Sequence, residues 1–542
     1  MFKTGGLREV KFRPTAAVLV LAAACGGAAL TPKAPPPPNT SGWWRDKAVY
    51  EIFVRSFADS DGDGIGDLKG LTAHLDYLNG TSGLGVDAVW LMPIFPSPSY
   101  HGYDVSDYRS VNPKYGTLDD FDALVKAAHQ RGIKVVLDMV LNHSSSQHPW
   151  FVNSLQGKDA LKRNWYDWAD ADPGWRQPWN SSAPAWHQLN GAWFYSLFCS
   201  CMPDLNLANP AVEQEMTASM KFWLDRGVDG FRLDAARYFF ASGPGAGMID
   251  QPGTHAFLKR IRAALQADHP QTLFVAEAWA ALEIADSYYG SGDEVQLAFS
   301  FDLADAIKSA ATSGDSSGVV NVLARSEAAL TGKDRGFEAP FLSNHDQVRV
   351  MRALNADAGA TRVAAALLLA LPGTPFIYYG EEIGMQGGAG YDDRDKRTPM
   401  RWTADAASYN GFTSGTPWYS AGEAAGIDVA TEQADPNSLW NEYRRLLAVR
   451  HAQAALATGD ATRPAVSGGG AGVIALLRTA GTARALFVAN FGTAASGAFT
   501  VDAAGTPNPL ASEGLTAPPT AASGKLSFAG LAPRSFAYFA LN

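Results

Sequence analysis

Four stretches of the chain place an acid directly after an apolar run. Asp138 falls in GIKVVLDMVLNH (132–143), Asp234 in VDGFRLDAAR (228–237) and Glu277 in TLFVAEAW (272–279); PFLSNHDQ (340–347) carries His345 and Asp346. Strand side chains repeat every two residues, so Arg232 and Asp234 share one side of their run. Burying a carboxylate costs several kcal/mol unless it is paired or hydrogen-bonded. A structural ion pair would account for one Arg-x-Asp, but the repeated pattern argues for a shared site. Two carboxylates flanking one bond are what glycoside hydrolysis needs. One attacks the anomeric carbon or activates water, and the other, held protonated, gives its proton to the leaving oxygen. A third acid would steady positive charge on the sugar ring. Arg232, His143 and His345 would favour the ionised nucleophile and hold sugar hydroxyls. These residues point to a carboxylate-dependent hydrolase acting on carbohydrate. A metal-dependent hydrolase is the rival, though the spacing shows no HxH or HExxH pattern.

These acids need elements that end at a common rim. Eight strand-like runs are expected, at 47–54, 87–94, 132–143, 228–234, 272–279, 295–302, 340–347 and 374–385. Helical patterns fall between them (68–79, 118–131, 211–226, 254–267, 303–312, 360–371), and 438–451 would be the last of the outer ring. Eight alternations predict an α/β fold, a (β/α)8 TIM barrel, whose site lies where the strands end. From 144 to 207 the alternation gives way to a Trp-, Pro- and Asn-rich insertion after strand 3, of the kind that forms a functional subdomain. From 454 to 542 short β-branched and aromatic runs predict a C-terminal antiparallel β domain, a β-sandwich with no chemistry of its own. The barrel is thus expected in two parts, 43–143 and 208–453.

The formal charge of −10 and the lack of a basic patch argue against nucleic acid as a partner. Lys3, Arg8, Lys11 and Arg13 precede an apolar stretch, 16–24, too short to span a bilayer. It ends in LAAAC, so residues 1–24 read as a signal peptide and Cys25 as a lipidated cysteine. Plain secretion, to the periplasm or beyond, is the alternative. The proline-rich TPKAPPPPNT (31–40), within a linker at 25–42, would hold the body off a surface. The expectation is an exported, membrane-anchored lipoprotein, touching the membrane only through its lipid and acting as a monomer. Cys199 and Cys201 could pair after export or remain two buried thiols.

DSDGDGIGD (59–67) spaces Asp59, Asp61, Asp63 and Asp67 like the first nine positions of an EF-hand loop, with Ile65 offering a backbone carbonyl. Gly70 stands where the twelfth-position glutamate belongs. Four carboxylates so close repel one another unless a cation lies between them, and Ca²⁺ in a structural role is the expectation.

DMVLNH (138–143), GFRLDAAR (230–237), AEAW (276–279) and FLSNHD (341–346) resemble the four ordered motifs of the α-amylase superfamily of glycoside hydrolases, and MPDLN (202–206) resembles its additional motif. The resemblance runs from Trp43 to the C-terminus. It implies Asp234 as nucleophile, Glu277 as general acid/base and Asp346 as the acid gripping sugar hydroxyls, in a retaining mechanism. It implies Tyr103 stacking on the bound ring, with Arg232, His143 and His345 lining the same subsite. Asp138 is mostly structural in such proteins. The Asp59–Asp67 loop resembles the calcium loop of the oligo-1,6-glucosidase branch. MPDLN is similar to sequences of both oligo-1,6-glucosidase-like and neopullulanase-like members. Asp104 and Arg397 resemble residues that clamp a terminal glucose in exo-acting α-glucosidases, whereas Ala235 resembles members that cut α-1,4 bonds. The expected activity is endo-type hydrolysis of α-1,4-glucans and maltooligosaccharides. An exo-acting α-glucosidase or oligo-1,6-glucosidase, or a glucan transglycosylase, is the alternative, and a non-catalytic glucan-binding lipoprotein a remote one.

Overall fold

The structure, a computed structural model, describes residues 42–330, 337–390, 392–420, 423 and 426–542. The expected signal peptide, Cys25 and the proline-rich stretch lie outside them. Eight parallel strands form one sheet: β1 Val49–Ile52, β2 Ala88–Leu91, β3 Lys134–Met139, β4 Gly230–Leu233, β5 Leu273–Ala276, β6 Leu297–Phe299, β7 Phe337–Ala339 and β8 Phe376–Tyr378. Consecutive strands are neighbours, and β1 pairs with β8. The ring closes between β7 and β8 through Thr374 N–H to Glu338 O (3.0 Å) and Phe376 N–H to Pro340 O (2.9 Å). Gly373 makes that approach feasible. Its φ of +97° suits glycine, and a Cβ there would lie 2.2 Å from the Glu338 carbonyl.

The period-two alternation sorts the strand side chains into layers. Val49, Ala88, Val136, Leu273, Leu297 and Phe376 belong to one apolar cluster inside the barrel. Two positions further along their strands come Glu51, Trp90, Asp138 and Val275, and Arg232 follows Gly230 on β4. Register sets Asp138 directly beside Arg232, and Glu51 beside Trp90. The charged layer therefore sits above the apolar one, at the ends of the strands.

The helices start where sequence chemistry says they should. Thr117 and Asp120 form a capping box before Leu118–Gln130, Asn209 caps Pro210–Leu224 with proline in its first turn, and Asp357 caps Ala358–Ala370. One expectation shifts. The seventh strand is 337–339, and PFLSNHDQ is the turn beyond it. Glu338 is buried and accepts a hydrogen bond from Ser326, which belongs to a helix, Ser317–Leu330, not anticipated from the pattern.

The insertion carries a three-stranded antiparallel sheet (168–169, 186–189, 192–195) and a two-stranded ribbon, Arg176–Gln177 with Asn180–Pro184. It is tied to β3's loop by Asn142 Nδ2, which donates to Asp204 of MPDLN at 2.8 Å, and by Leu205 N–H to Asn142 O at 2.8 Å. Cys199 and Cys201 are joined as a disulfide. Neither is buried, so of the two alternatives the sequence left open the structure has the paired one. Past the helix Leu439–Ala452 a further short helix, Ala454–Thr458, precedes the C-terminal strands, which form a five-stranded and a four-stranded antiparallel sheet. Among the described residues no helix is long and apolar enough to cross a membrane.

Candidate active site

Arg232, 1% exposed, organises the rim. Its Nη1 donates to Asp138 Oδ1 (2.8 Å) and Asp234 Oδ1 (2.6 Å), and its Nη2 lies 2.8 Å from Glu277 Oε2. One guanidinium thus holds the acids that end β4 and β5. Directly after Asp234 the backbone turns left-handed: Ala235 has φ +51°, uncommon for a residue with a Cβ. Its N–H donates to the same Glu277 Oε2 at 2.8 Å. With both donors on Oε2, Oε1 is the oxygen left to carry an acidic proton. Burial pushes Glu277 up to about 7, against the pull of Arg232 and with the push of the Asp234 and Asp346 charges.

Asp346 has a different environment. Its Oδ1 pairs with Arg397 Nη2 (2.8 Å), its Oδ2 lies 3.2 Å from His345 Nε2, and its own N–H donates to Asn344 Oδ1. Burial alone would raise its carboxyl, but His345 and Arg397 hold it far below the usual carboxylate range. His345 is sandwiched. Nδ1 lies 2.5 Å from Glu51 Oε1, and Nε2 is 2.6 Å from the Tyr103 hydroxyl. Against burial, Asp346 and Glu51 raise the imidazole to about 9, so the ring is charged at neutral pH. Tyr103 also donates to Asp138 Oδ2 (3.0 Å), and its ring stacks on His345 at 5.6 Å and 14°. His143 is buried, and burial lowers its pKa. Its Nε2 has no partner among the described residues although it lines the cavity, as suits an atom reserved for a ligand hydroxyl.

These groups open on one cavity of about 700 Å³, lined among others by Tyr103, His143, Asp234, Glu277, Asp346 and Arg397. The three acids expected to meet therefore share one cleft, and Arg232 and His345 lie immediately beneath. Asp104 does not line it. That side chain is buried, with Oδ1 accepting from Ser97 (2.5 Å) and from Ser99. Glu51 and the Ala235 amide are the participants that sequence reasoning missed. The signal for Glu51 was an acid inside the apolar run KAVYEIFV; nothing in the sequence announced the Ala235 backbone.

In the aspartate loop, Asp59, Asp61 and Asp67 each bring a carboxylate oxygen within 4.8 Å of the others. Hard oxygen donors at that spacing fit Ca²⁺. Asp63 lies outside this group, and its Oδ1 accepts the Ile65 N–H at 2.8 Å. Hydrogen bonds from Thr413, Gly62, Gly64 and Asp61 outweigh burial and lower the Asp59 pKa.

The family model described as "Alpha amylase, catalytic domain" matches residues 51–459. The chain belongs to the α-amylase family. It is 40% identical over 423 residues to alpha-amylase 3 of Dictyoglomus thermophilum, covering 78% of this chain and 80% of that one. It is 35% identical to an oligo-1,6-glucosidase of Heyndrickxia coagulans, covering 76% and 85%. The crystal structure of an α-amylase from H. orenii superposes with a TM-score of 0.79 at 36% identity, over 92% of this chain and all of that one. This α-amylase family member is a glycoside hydrolase on the family's eight-stranded barrel.

Proposed function

We propose that the chain is a retaining, endo-acting hydrolase of α-1,4-glucosidic bonds in starch-like glucans and maltooligosaccharides. The observation that carries the reading is the contrast between two acids bound to one guanidinium. Asp234 is placed by Arg232 to attack the anomeric carbon, and Glu277, pushed up to about 7, keeps a proton to give. In the first step Asp234 forms a bond to that carbon, the glycosidic C–O bond breaks, and the Glu277 proton passes to the leaving oxygen. In the second, Glu277 as carboxylate takes a proton from water, the resulting hydroxide adds to the anomeric carbon, and Asp234 leaves. Asp346, held ionised, and the neutral His143 would hold hydroxyls of the distorted ring. Asp104, engaged by two serines, leaves the terminal-glucose clamp of exo-acting relatives incomplete, which favours endo action. Similarity to the Dictyoglomus α-amylase points the same way. Asp59, Asp61 and Asp67 would hold a Ca²⁺ that neutralises their loop.

The test is a product time course on a maltoheptaoside blocked at its non-reducing end. Cleavage of the blocked substrate is expected, with retained anomeric configuration by NMR. Failure to cut it, with release of glucose alone from the unblocked chain, would replace this reading by an α-glucosidase.

A further inference from the structure

The turn after Asp234 and the turn that carries Glu277 are tied to each other. The paired registers of β5 with β4 and β6 end at Ala276, and Glu277 N–H still reaches Leu233 O at 3.1 Å. Beyond that point the backbone is held from the neighbouring turn. Ala236 N–H donates to Glu277 O (3.2 Å), and Arg237 Nη1 donates to Trp279 O (2.7 Å). Two consecutive residues just past the nucleophile therefore grip two carbonyls around the proton donor. The bonds to the Glu277 side chain both fall on Oε2. They leave the carboxyl a pivot about that oxygen, and the course of the backbone through 277–279 decides where Oε1 points.

Arg237 is held for this task. Its other nitrogens form a fork on Asp250, Nε to Oδ1 at 3.0 Å and Nη2 to Oδ2 at 2.5 Å. A two-bond pair of guanidinium and carboxylate fixes the plane of the guanidinium as well as its place. Asp250 is fixed in turn. Its N–H donates to Arg237 O (2.8 Å), and its Oδ1 accepts from the hydroxyl of Tyr288, a buried ring between β5 and β6 (2.7 Å). Its φ of +52° is uncommon outside glycine, and Asp and Asn tolerate that conformation best. The loop from Arg237 to Asp250 carries Gly243, Gly245 and Gly247, and the pair closes its two ends. Asp250 itself does not line the cavity.

We propose that Asp250 is a positioning residue for Glu277. Paired with Arg237, it fixes the Trp279 carbonyl and so holds the donor's turn where Oε1 meets the leaving oxygen. A displacement of about 1 Å at such a place lowers the rate on the order of 10²-fold. This rests on the reading of Glu277 as the proton donor.

The experiment measures kcat and KM for maltoheptaose in the full protein, and kcat/KM for an aryl maltoside whose leaving group needs no proton. Asp250→Ala should lower kcat/KM for maltoheptaose by about 10²-fold, through kcat, with KM within about twofold. On the aryl maltoside the loss should stay within about threefold, because aim matters only where a proton is given. Asp250→Asn keeps the left-handed turn but loses the charge, and should fall about tenfold on maltoheptaose. It is the deciding variant if the alanine protein does not fold, and the melting temperature is recorded for both. Equal losses on the two substrates, a loss carried by KM, or an undiminished kcat would overturn the positioning role. Wild-type protein that cleaves neither substrate would overturn the hydrolase reading itself. Equal losses in Glu277→Gln would overturn Glu277 as donor, and with it the role given to Asp250.

Discussion

Glu277 and Asp346 are both buried carboxylates in one cleft, and their neighbours drive them apart. Charged His345 and Arg397 keep Asp346 ionised, whereas burial keeps Glu277 near 7. A general acid works only while protonated, so kcat/KM is expected to fall about tenfold per pH unit above about 7. Glu277→Gln should cost about 10²–10⁴ in rate on unactivated glucans. It should cost far less on an aryl maltoside whose leaving group needs no proton, and that substrate should lose its basic limb. Asp234→Asn should abolish turnover on both. His345 gives a stability prediction. Its pKa is raised in the fold, to about 9. The stabilisation is fully present below the ordinary imidazole value of about 6.5 and is lost as pH rises through about 9. Glu51→Gln breaks a buried pair and should destabilise by about 3 kcal/mol at pH 7. Denaturant melts should show the gap to wild type narrowing above pH 9. The acids at strand ends were legible because a charge closing an apolar run is costly to bury, and four such runs in one chain imply a common use. Glu51 was not, because it stands alone in its strand and only the closed barrel brings it to His345.

At the level of elements, the aspartate loop is fastened to a segment some 350 residues away. Asp59 N–H donates to Phe412 O (3.0 Å), Thr413 to Asp59 Oδ2, and Trp418 N–H to Gly64 O (2.8 Å). Chelation is expected to lower the melting temperature on the order of 5 °C. Asp61→Asn, which removes the most exposed of the three clustered carboxylates, should show a smaller shift on adding chelator; an identical shift would count against Ca²⁺ in this loop. The EF-hand-like spacing was readable, whereas the backbone N–H groups that donate to Asp59, Asp61, Asp63 and Asp67 alike were not, since spacing does not show how the loop folds back on its own carboxylates. A similar competition hid the seventh strand. Glu338 breaks the apolar run and turns toward Ser326, so the more apolar PFLSN looked like the better strand.

On the scale of the whole molecule, the C-terminal domain docks on the barrel through Arg478, close to Arg450 of the barrel's last helix, and both arginines have carbonyl partners in place of carboxylates. Arg450 donates to Leu369, Leu371 and Gly373, and Arg478 to Ala370 and Gly459. Arg478→Ala strips buried carbonyls of their donor and should cost about 2–4 kcal/mol, seen as a lowered urea midpoint. The barrel and the β domain were foreseeable from alternation and texture. This docking was not, because carbonyl acceptors leave no trace in a sequence.

The closure between β7 and β8 carries a consequence for how the enzyme would fail. Every other junction of the ring is a ladder of paired residues, whereas among the described residues this one rests on two backbone hydrogen bonds beside a glycine. Asp346 hangs just past one lip of that seam, while Asp234 and Glu277 ride on the opposite arc. Warming that merely loosens the stave would pull the third acid from its companions, and turnover would vanish while the helices still gave their full circular dichroism.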